Sequence, residues 1–328
     1  MTQTISACNK IYGDIKKRHV PAFMLNETTE LQFKPVTTEA MPLIWRYLSC
    51  EPGRTCDFSY GGLLIWAPLF DYQYDIYKDT LFIKGRLEGD LSKYAYSLPV
   101  GNLPLEQCIS LLRAHCLRGG ETLRFSAIPE YAVDDFRDCG AAGIRPLPDW
   151  ADYLYDIEPL ATLTGKKMAK KRNHVNKFES LYPDHRFMPL TADNIKDARA
   201  LLDIANAESD DYSEMAASER RLCAIALDQM AEGVTVMKGG ILYADDRPAA
   251  FTVGDIKGDT LFIHIEKGNR EVPGAYEAIN KYFAAYMLAG HPELKYINRE
   301  DDAGDPGLRR SKSSYHPKTL LLKYDVTF

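Results

Sequence analysis

Across residues 186–325 the hydrophobic positions change period repeatedly, and each change marks an element. Residues 186–190 alternate as a short strand. Thr191 and Asp193 then open a helix whose apolar stripe runs through Ala198, Leu201, Leu202 and Ala205. A second helix covers 218–231 and stops at Gly233. Segments 241–244 and 249–256 flank a turn at 245–248 as a hairpin, and 257–259 turn the chain into a strand over 260–266. Tyr276, Ile279, Tyr282, Phe283 and Tyr286 recur at helical spacing, which predicts a long helix over 275–289 ended by Gly290. A strand at 295–298, a helix opened by Asp305 and Pro306, and a last strand at 319–325 complete the series. The first half predicts strands near 31–36, 62–67, 72–77, 80–86, 122–127 and 152–158, with a long helix at 105–117.

The two halves follow the same course because the chain repeats itself. Phe33–Glu39 (FKPVTTE) aligns with Phe187–Asp193 (FMPLTAD), and Gly61–Leu64 (GGLL) with Gly239–Leu242 (GGIL). Asp79–Ile83 (DTLFI) recurs unchanged as Asp259–Ile263. Matches in one order at slowly drifting offsets predict a duplication. The division is a first domain over 1–160, structural in role, a basic connecting helix over 161–184, and a second domain over 185–328 that carries the active cleft. Strand, two helices, an antiparallel meander, helix, strand, helix, strand resembles the acyltransferase fold called GNAT, whose central strands splay to admit an acyl donor. The expected class is α+β, two tandem GNAT-like domains with mixed sheets flanked by helices.

Charge changes the picture at the connector. The chain carries a formal net charge of −6, yet Gly165–Lys177 (GKKMAKKRNHVNK) holds five lysines and one arginine with no acid. Wound as a helix, Lys166, Lys170 and Lys177 share one stripe, with Met168, Val175 and Tyr182 roughly opposite. One side packs; the other stays wet and positive. An overall acidic balance argues against a protein that coats nucleic acid, but a local basic patch still binds anions. At 328 residues and 45% hydrophobic composition, the chain holds material for two cores. No apolar run reaches the ~18 residues that span a bilayer, and residues 1–19 lack the apolar core of a secretion signal. Seven widely spaced cysteines without a C-x-x-C pair read as reduced thiols of a cytoplasmic protein.

Candidate chemistry concentrates in Tyr296–Pro317 (YINREDDAGDPGLRRSKSSYHP). Glu300, Asp301, Asp302 and Asp305 follow the end of a strand, where open sheets place ligands. Asp305 suits a helix cap, and Arg309, Arg310 and Lys312 give the next helix a positive face. These acids lack the alternating spacing of a calcium loop, and no metal site is expected. On the strand 260–266, alternation puts Phe262, His264 and Glu266 on one face, where a histidine beside a carboxylate can help deprotonate an amine. The matching positions of the first copy are Lys84 and Arg86, which confines such chemistry to the second. Coenzyme-A-binding members of the fold carry a glycine-rich phosphate loop before the long helix. Here Arg270–Ala275 (REVPGA) breaks that spacing, Pro273 removes an amide and Glu271 repels phosphate, which argues against coenzyme A. His19, His115 and His185 are isolated.

Tyr153–Asp156 (YLYD), Leu163 with Gly165-Lys166-Lys167, Lys171–His174 (KRNH), Phe178, Asn298–Leu308 (NREDDAGDPGL) and Ser314–Pro317 (SYHP) together resemble one family over nearly the whole chain. It is the soluble family related to the C-terminal catalytic domain of lysylphosphatidylglycerol synthases, tandem GNAT pairs like the Fem aminoacyltransferases. The resemblance implies transfer of an amino acid from aminoacyl-tRNA to an amine or hydroxyl, without coenzyme A or another cofactor. It implies that Lys166, Lys167, Lys170, Lys171 and Arg172 contact tRNA phosphates. Glu300, Asp301 and Asp305 would hold the amino group of the transferred residue, and Arg299 and Lys312 a phosphate or the oxyanion. Tyr315 or His316 would manage the proton of the leaving ribose. Asn298, Gly307 and Arg309 of the same motif complete the substrate-binding set, and His264 and Glu266 the catalytic one. The lipid-modifying relatives carry a large membrane domain with no counterpart here, which points to an acceptor that is soluble or reached from the membrane periphery. Two rival readings remain: an acyl-CoA-dependent N-acyltransferase, and a non-catalytic protein that binds tRNA or an anionic surface.

Overall fold

The computed structural model describes residues 30–87, 89–207 and 214–328. The N-terminal segment read above for a signal, with His19, lies outside the described residues. The chain divides into two compact units, neither contiguous in sequence: Met1–Gly53, Ala67–Pro148 and Leu322–Phe328 form one, and Arg54–Trp66 with Asp149–Leu321 the other.

The first unit holds strands β1 (Lys34–Pro35), β2 (Gln73–Tyr77), β3 (Thr80–Leu87), β4 (Asp90–Tyr96), β5 (Val100–Gly101), β6 (Arg124–Pro129) and β7 (Gly143–Pro146). Helix α1 (Met41–Leu48) belongs to it, and helix α2 (Tyr60–Phe70) ends in it. Helices α3 (Leu105–Gly119) and α4 (Val133–Asp138) pack Leu112, Cys116 and Phe136 against Phe82, Tyr96 and Phe125 of the sheet. The second unit holds β8 (Asp152–Asp156), β9 (Arg186–Pro189), β10 (Lys238–Ala244), β11 (Arg247–Lys257), β12 (Thr260–Gly268), β13 (Tyr296–Asn298) and β14 (Thr319–Leu321). Its helices are α5 (Ile157–Thr162), α6 (Ala169–Leu181), α7 (Ile195–Ala207), α8 (Glu214–Ala231), α9 (Ala275–Gly290) and α10 (Pro306–Ser313). Strand β15 (Lys323–Thr327) closes the chain.

The sheet of the second unit runs β14-β8-β13-β12-β11-β10-β9, and that of the first β1-β2-β3-β4-β6-β15-β7 with β5 also on β3. Strand β8, which ends the first repeat, therefore pairs in the second sheet, and β15, which ends the second repeat, pairs in the first. The expected last strand over 319–325 is two strands that join different sheets. The basic stretch 161–184, expected as a connector, lies within the second unit.

In the second unit α9 buries Ala278, Ile279, Phe283 and Met287 against the sheet. Apolar residues three and four apart form that stripe, and the sheet face supplies Leu242, Ala250, Leu261 and Ile263. Strand β12 pairs with the parallel strand β13 only through Thr260–Phe262 and Tyr296–Asn298. Its remaining residues, His264 and Glu266 included, have no partner strand on that side among the described residues, so the sheet opens into a gap there. The first unit is closed at the matching place. The repeated DTLFI segment puts β3 in the role of β12 and β6 in that of β13, but β4 intervenes and pairs Tyr96 and Tyr94 with Lys84 and Arg86.

One of the repeat matches is a coincidence of letters. Gly239–Leu242 lies in β10, but Gly61–Leu64 is helical, inside α2, so the strand expected over 62–67 does not exist. A continuous apolar run has no period with which to tell strand from helix. Ser59 decides the matter locally, its Oγ accepting from the Gly62 amide at 3.0 Å as a helix cap does. Among the described residues Cys56, Cys108, Cys116, Cys139 and Cys223 are free thiols.

Candidate active site

The gap beside β12 is lined by charge. His264 is enclosed, its side chain 1% exposed, with Nδ1 at 2.8 Å from Glu300 Oε1 and Nε2 at 2.9 Å from Asp255 Oδ2. Burial alone pushes an imidazole toward neutrality, but the Asp255 and Glu300 carboxylates outweigh it and hold His264 up to about 10. At neutral pH it is an imidazolium between two carboxylates. It cannot accept a proton from an amine, and it is joined to Glu300, not to its strand neighbour Glu266. Gly61 makes this packing possible: a side chain there would place Cβ 2.4 Å from His264 Cδ2, and the Gly61 amide donates to Asp255 Oδ2. Asp255 Oδ1 is left buried without a hydrogen-bond partner.

The loop after β13 is shaped by its own side chains. Asn298 Oδ1 accepts from the Glu300 amide at 2.6 Å, Asp301 Oδ1 from Ala303 at 3.0 Å and Asp302 Oδ1 from Gly304 at 3.0 Å. Glu300, Ala303 and Gly304 take positive φ of 57°, 47° and 76°. Asn298 Nδ2 bonds Asp152 Oδ2 at 2.8 Å and the Arg54 carbonyl at 2.6 Å, tying the loop to β8. Asp302 accepts from Tyr153 at 2.6 Å and from both Arg309 Nε (2.9 Å) and Nη2 (2.7 Å), and the Arg309 bonds first among these hold its carboxyl down at about 2. Asp305 Oδ1 caps α10 through the Leu308 amide at 2.6 Å, the role expected of it. Lys312 Nζ donates to the Asp301 carbonyl; burial pushes its ammonium down, against the pull of Glu300 and Asp301. Acids and bases dense in sequence thus bond chiefly to one another.

A second charged row connects the gap to the basic helix. Arg299 Nη2 meets Glu266 Oε1 at 2.7 Å. Burial opposes the Arg299 charge, but the Glu266 carboxylate outweighs that and raises its pKa. The Tyr315 ring lies between Arg299, 4.8 Å away, and Lys171 Nζ, 3.9 Å away. Lys171 pairs with Glu277 at 3.3 Å, and His174 Nδ1 reaches the same oxygen at 3.0 Å. Burial lowers the Lys171 pKa; for Glu277 burial works the other way, and Lys171 with His174 overrides it to hold the carboxyl below its ordinary value.

The predicted residues therefore sort by position. The structure brings His264 to Glu300, Glu266 to Arg299, and Arg299 to Tyr315. Lys166, Lys167 and Lys170 are exposed, whereas Lys171 is buried and Arg172 Nη1 is spent on the Leu163 and Gly165 carbonyls at 2.6 and 3.2 Å. Gly307 and His316 lie at the surface, the latter at φ 55°. Sequence reasoning missed Asp255, Asn280 and Glu277. Asp255 leaves a signal, an acid inside the apolar strand 249–256; for Glu277 and Asn280 the helical spacing gives none. Cys56, Asp152 and Asp301 place one possible metal-binding atom each within 4.8 Å of one another. Asp152 already accepts from the Cys56 amide (2.6 Å) and thiol (3.4 Å) and from Asn298, so its oxygens serve the fold.

No helix among the described residues is long and apolar enough to cross a membrane. A conserved protein of unknown function from Bacteroides thetaiotaomicron is 31% identical in sequence and superposes with a TM-score of 0.84 over 91% of this chain and 99% of its own. The L-PGS of Bacillus licheniformis superposes with a TM-score of 0.62 at 15% identity, over 92% of this chain and 94% of its own, a likeness of fold. An uncharacterized protein of Mycoplasmoides gallisepticum is 24% identical over 180 residues, 53% of this chain, and the match spans 55% of that relative's length. Residues 52–327 match the family described as phosphatidylglycerol lysyltransferase, C-terminal, and the chain belongs to that family.

Proposed function

We propose that the protein transfers an amino acid from aminoacyl-tRNA to an amine or hydroxyl acceptor, in the gap beside β12 and without coenzyme A. Family and fold point to an aminoacyltransferase of the lysylphosphatidylglycerol synthase type. The observation that carries the choice of donor is at the N-terminus of α9, where a helix presents free amides and positive charge to a phosphate. Here Glu277 occupies the first turn, and α6 packs across it so closely that a Cβ on Gly274 would lie 2.5 Å from the His174 carbonyl oxygen. The protein's own carboxylate and main chain fill that place. The helix that closes it exposes Lys170 and Lys177, with Lys166 and Lys167 just before it, a surface suited to a polyanion.

In the reaction the acceptor nitrogen or oxygen attacks the ester carbonyl. The new C–N or C–O bond forms, the ester bond to the ribose oxygen breaks, and the acceptor's proton ends on that oxygen. Glu300, its Oε1 held by the His264 imidazolium and its side chain 18% exposed, is the carboxylate in place to take the proton. Lys312, an ammonium made more acidic by burial near Glu300, is in place to supply one to the ribose oxygen. The first pair to test follows the family's description: lysyl-tRNA and phosphatidylglycerol.

The deciding assay charges bulk tRNA with labelled amino acids and adds the protein with cell extract. Label is expected to leave the tRNA faster than by spontaneous hydrolysis; an unchanged rate for every amino acid defeats the proposal. In parallel, coenzyme A and acetyl-CoA are expected to leave the melting temperature unmoved. A saturable rise with either one supports an acyl-CoA donor instead.

A further inference from the structure

In the first unit β6, β15 and β7 lie side by side, and a cleft of about 360 Å³ opens on them. That volume is in the range of small-molecule sites. Residues opposite one another in a ladder share a face. Arg124 stands opposite Thr327, and Thr327 opposite Gly143, so a row across the three strands runs guanidinium, hydroxyl, no side chain. Gly143 keeps the row open, because a Cβ there would lie 2.8 Å from Thr327 Oγ1. Leu87, at the end of β3, lines another side. Two residues along β15, Asp325 stands opposite Arg145 and forms an ion pair with it.

The charges of the cleft do not cancel. Asp325 Oδ2 accepts from Arg145 and Oδ1 from Ser126 Oγ at 2.7 Å, so both its oxygens are engaged. Arg124 is different. Among the described residues no hydrogen bond or ion pair engages its guanidinium, although it is only partly exposed, and the Thr327 hydroxyl is equally without a partner. A guanidinium takes a carboxylate in a planar two-point contact. Two guanidinia and one carboxylate leave a single positive charge in the cleft, which suits a ligand with a single negative one. A second negative charge on the ligand would meet Asp325. The Thr327 hydroxyl can donate to the ligand's carboxylate, and Leu87 with the methylene stems of the arginines offers apolar surface to the rest.

We propose that this cleft binds a small organic monocarboxylate, its carboxylate on Arg124 and Thr327 and its apolar body over Leu87. The site shares no residue with the gap beside β12, and it holds whether or not the protein transfers amino acids. A ligand that binds only the folded strands stabilises them by mass action.

The test is thermal melting of the full chain at constant ionic strength. The probes are benzoate, phenylacetate and hexanoate, each against its neutral amide, with phthalate and inorganic phosphate beside them. At least one monocarboxylate is expected to raise the melting temperature saturably, while its amide and the two polyvalent anions do not. Arg124→Gln, which removes the unpaired charge, is expected to weaken that binding about tenfold or more. Gly143→Val, which fills the cleft, is expected to abolish it. Equal binding of the amide overturns the site, as does tighter binding of phthalate or phosphate, or unchanged binding in either variant. If no probe binds, the cleft holds water only and the proposal is likewise overturned. Methyl NMR of the parent protein decides the matter even if both variants misfold. The Leu87 signals are expected to move with the carboxylate and not with its amide; a carboxylate that raises the melting temperature without moving them binds elsewhere and defeats the assignment.

Discussion

Lys171 and Glu277 form an ion pair of 3.3 Å that is largely closed from water, their side chains 10% and 15% exposed. It joins α6 to the first turn of α9, and it makes one lysine of a basic run part of the core. Removing one partner from a buried pair leaves the other uncompensated, at about 3–5 kcal/mol. Glu277→Gln is therefore expected to destabilise by about 3 kcal/mol, since Lys171 loses its counter-charge and keeps a neutral acceptor and the face of the Tyr315 ring. Lys171→Met should cost less, because His174 still bonds Glu277. Urea unfolding of both variants and the double variant checks the order; Lys171→Met proving the worse defeats it.

Gly274 fixes how closely α6 approaches α9. Its φ is +84°, and a Cβ would meet the His174 carbonyl, which is backbone and cannot swing aside. Gly274→Ala is expected to cost about 2–4 kcal/mol, combining left-handed strain with overpacking. Gly290, at the end of the same helix, has open space around it. Gly290→Ala is expected within about 0.5 kcal/mol of the parent or slightly more stable. Equal effects of the two substitutions in denaturant titrations would falsify this account of the packing.

The buried His264 makes a prediction about pH. Its folded pKa, about 10, lies above the ordinary value of ~6.5, so the native state holds the proton more tightly than the unfolded chain. The stabilisation is fully present below pH ~6.5 and is lost progressively as pH rises toward about 10. Melting temperature should fall across that window in the parent and fall less steeply in His264→Gln. NMR of the His264 ring gives a direct reading without any variant: a titration near pH ~6.5 contradicts the clamp by Asp255 and Glu300.

The legible parts of this fold are those set by neighbours in sequence. Helical spacing gave α9 almost to the residue, and Asp305 followed by Pro306 gave the start of α10, because a cap and a stripe are local. The exchange of β8 and β15 between sheets was not legible. Both are five-residue strands of mixed polar and apolar residues at the ends of repeats, and their choice of sheet is a tertiary matter. Strand β4 is equally hidden in the sequence, although it decides that one unit has a gap and the other does not. In the site, sequence density pointed to Asn298–Pro317 but overstated its freedom, since Asp302, Asp305 and Arg309 serve the loop itself. Arg299, Glu300 and Lys312 of that stretch do reach the gap, but what holds them there comes from β11, β12 and α9, elements whose proximity no spacing encodes.

The basic run divides into groups that an ionic-strength experiment can separate. Lys166, Lys167 and Lys170 are exposed, while Lys171 is buried against Glu277. A lysine that neutralises a phosphate releases counterions, and each phosphate left without its lysine reduces the slope of log K against log[salt] by about 0.7–0.9. Lys166→Ala, Lys167→Ala and Lys170→Ala together are expected to weaken tRNA binding at low salt and flatten that slope by about two, with the melting temperature unchanged. Lys171→Met is expected to lower the melting temperature and, at temperatures where it stays folded, to leave the slope as in the parent. Filter binding between about 50 and 200 mM salt reads both. An unchanged slope in the triple variant shows that the exposed lysines do not hold the donor, whatever chemistry the gap performs.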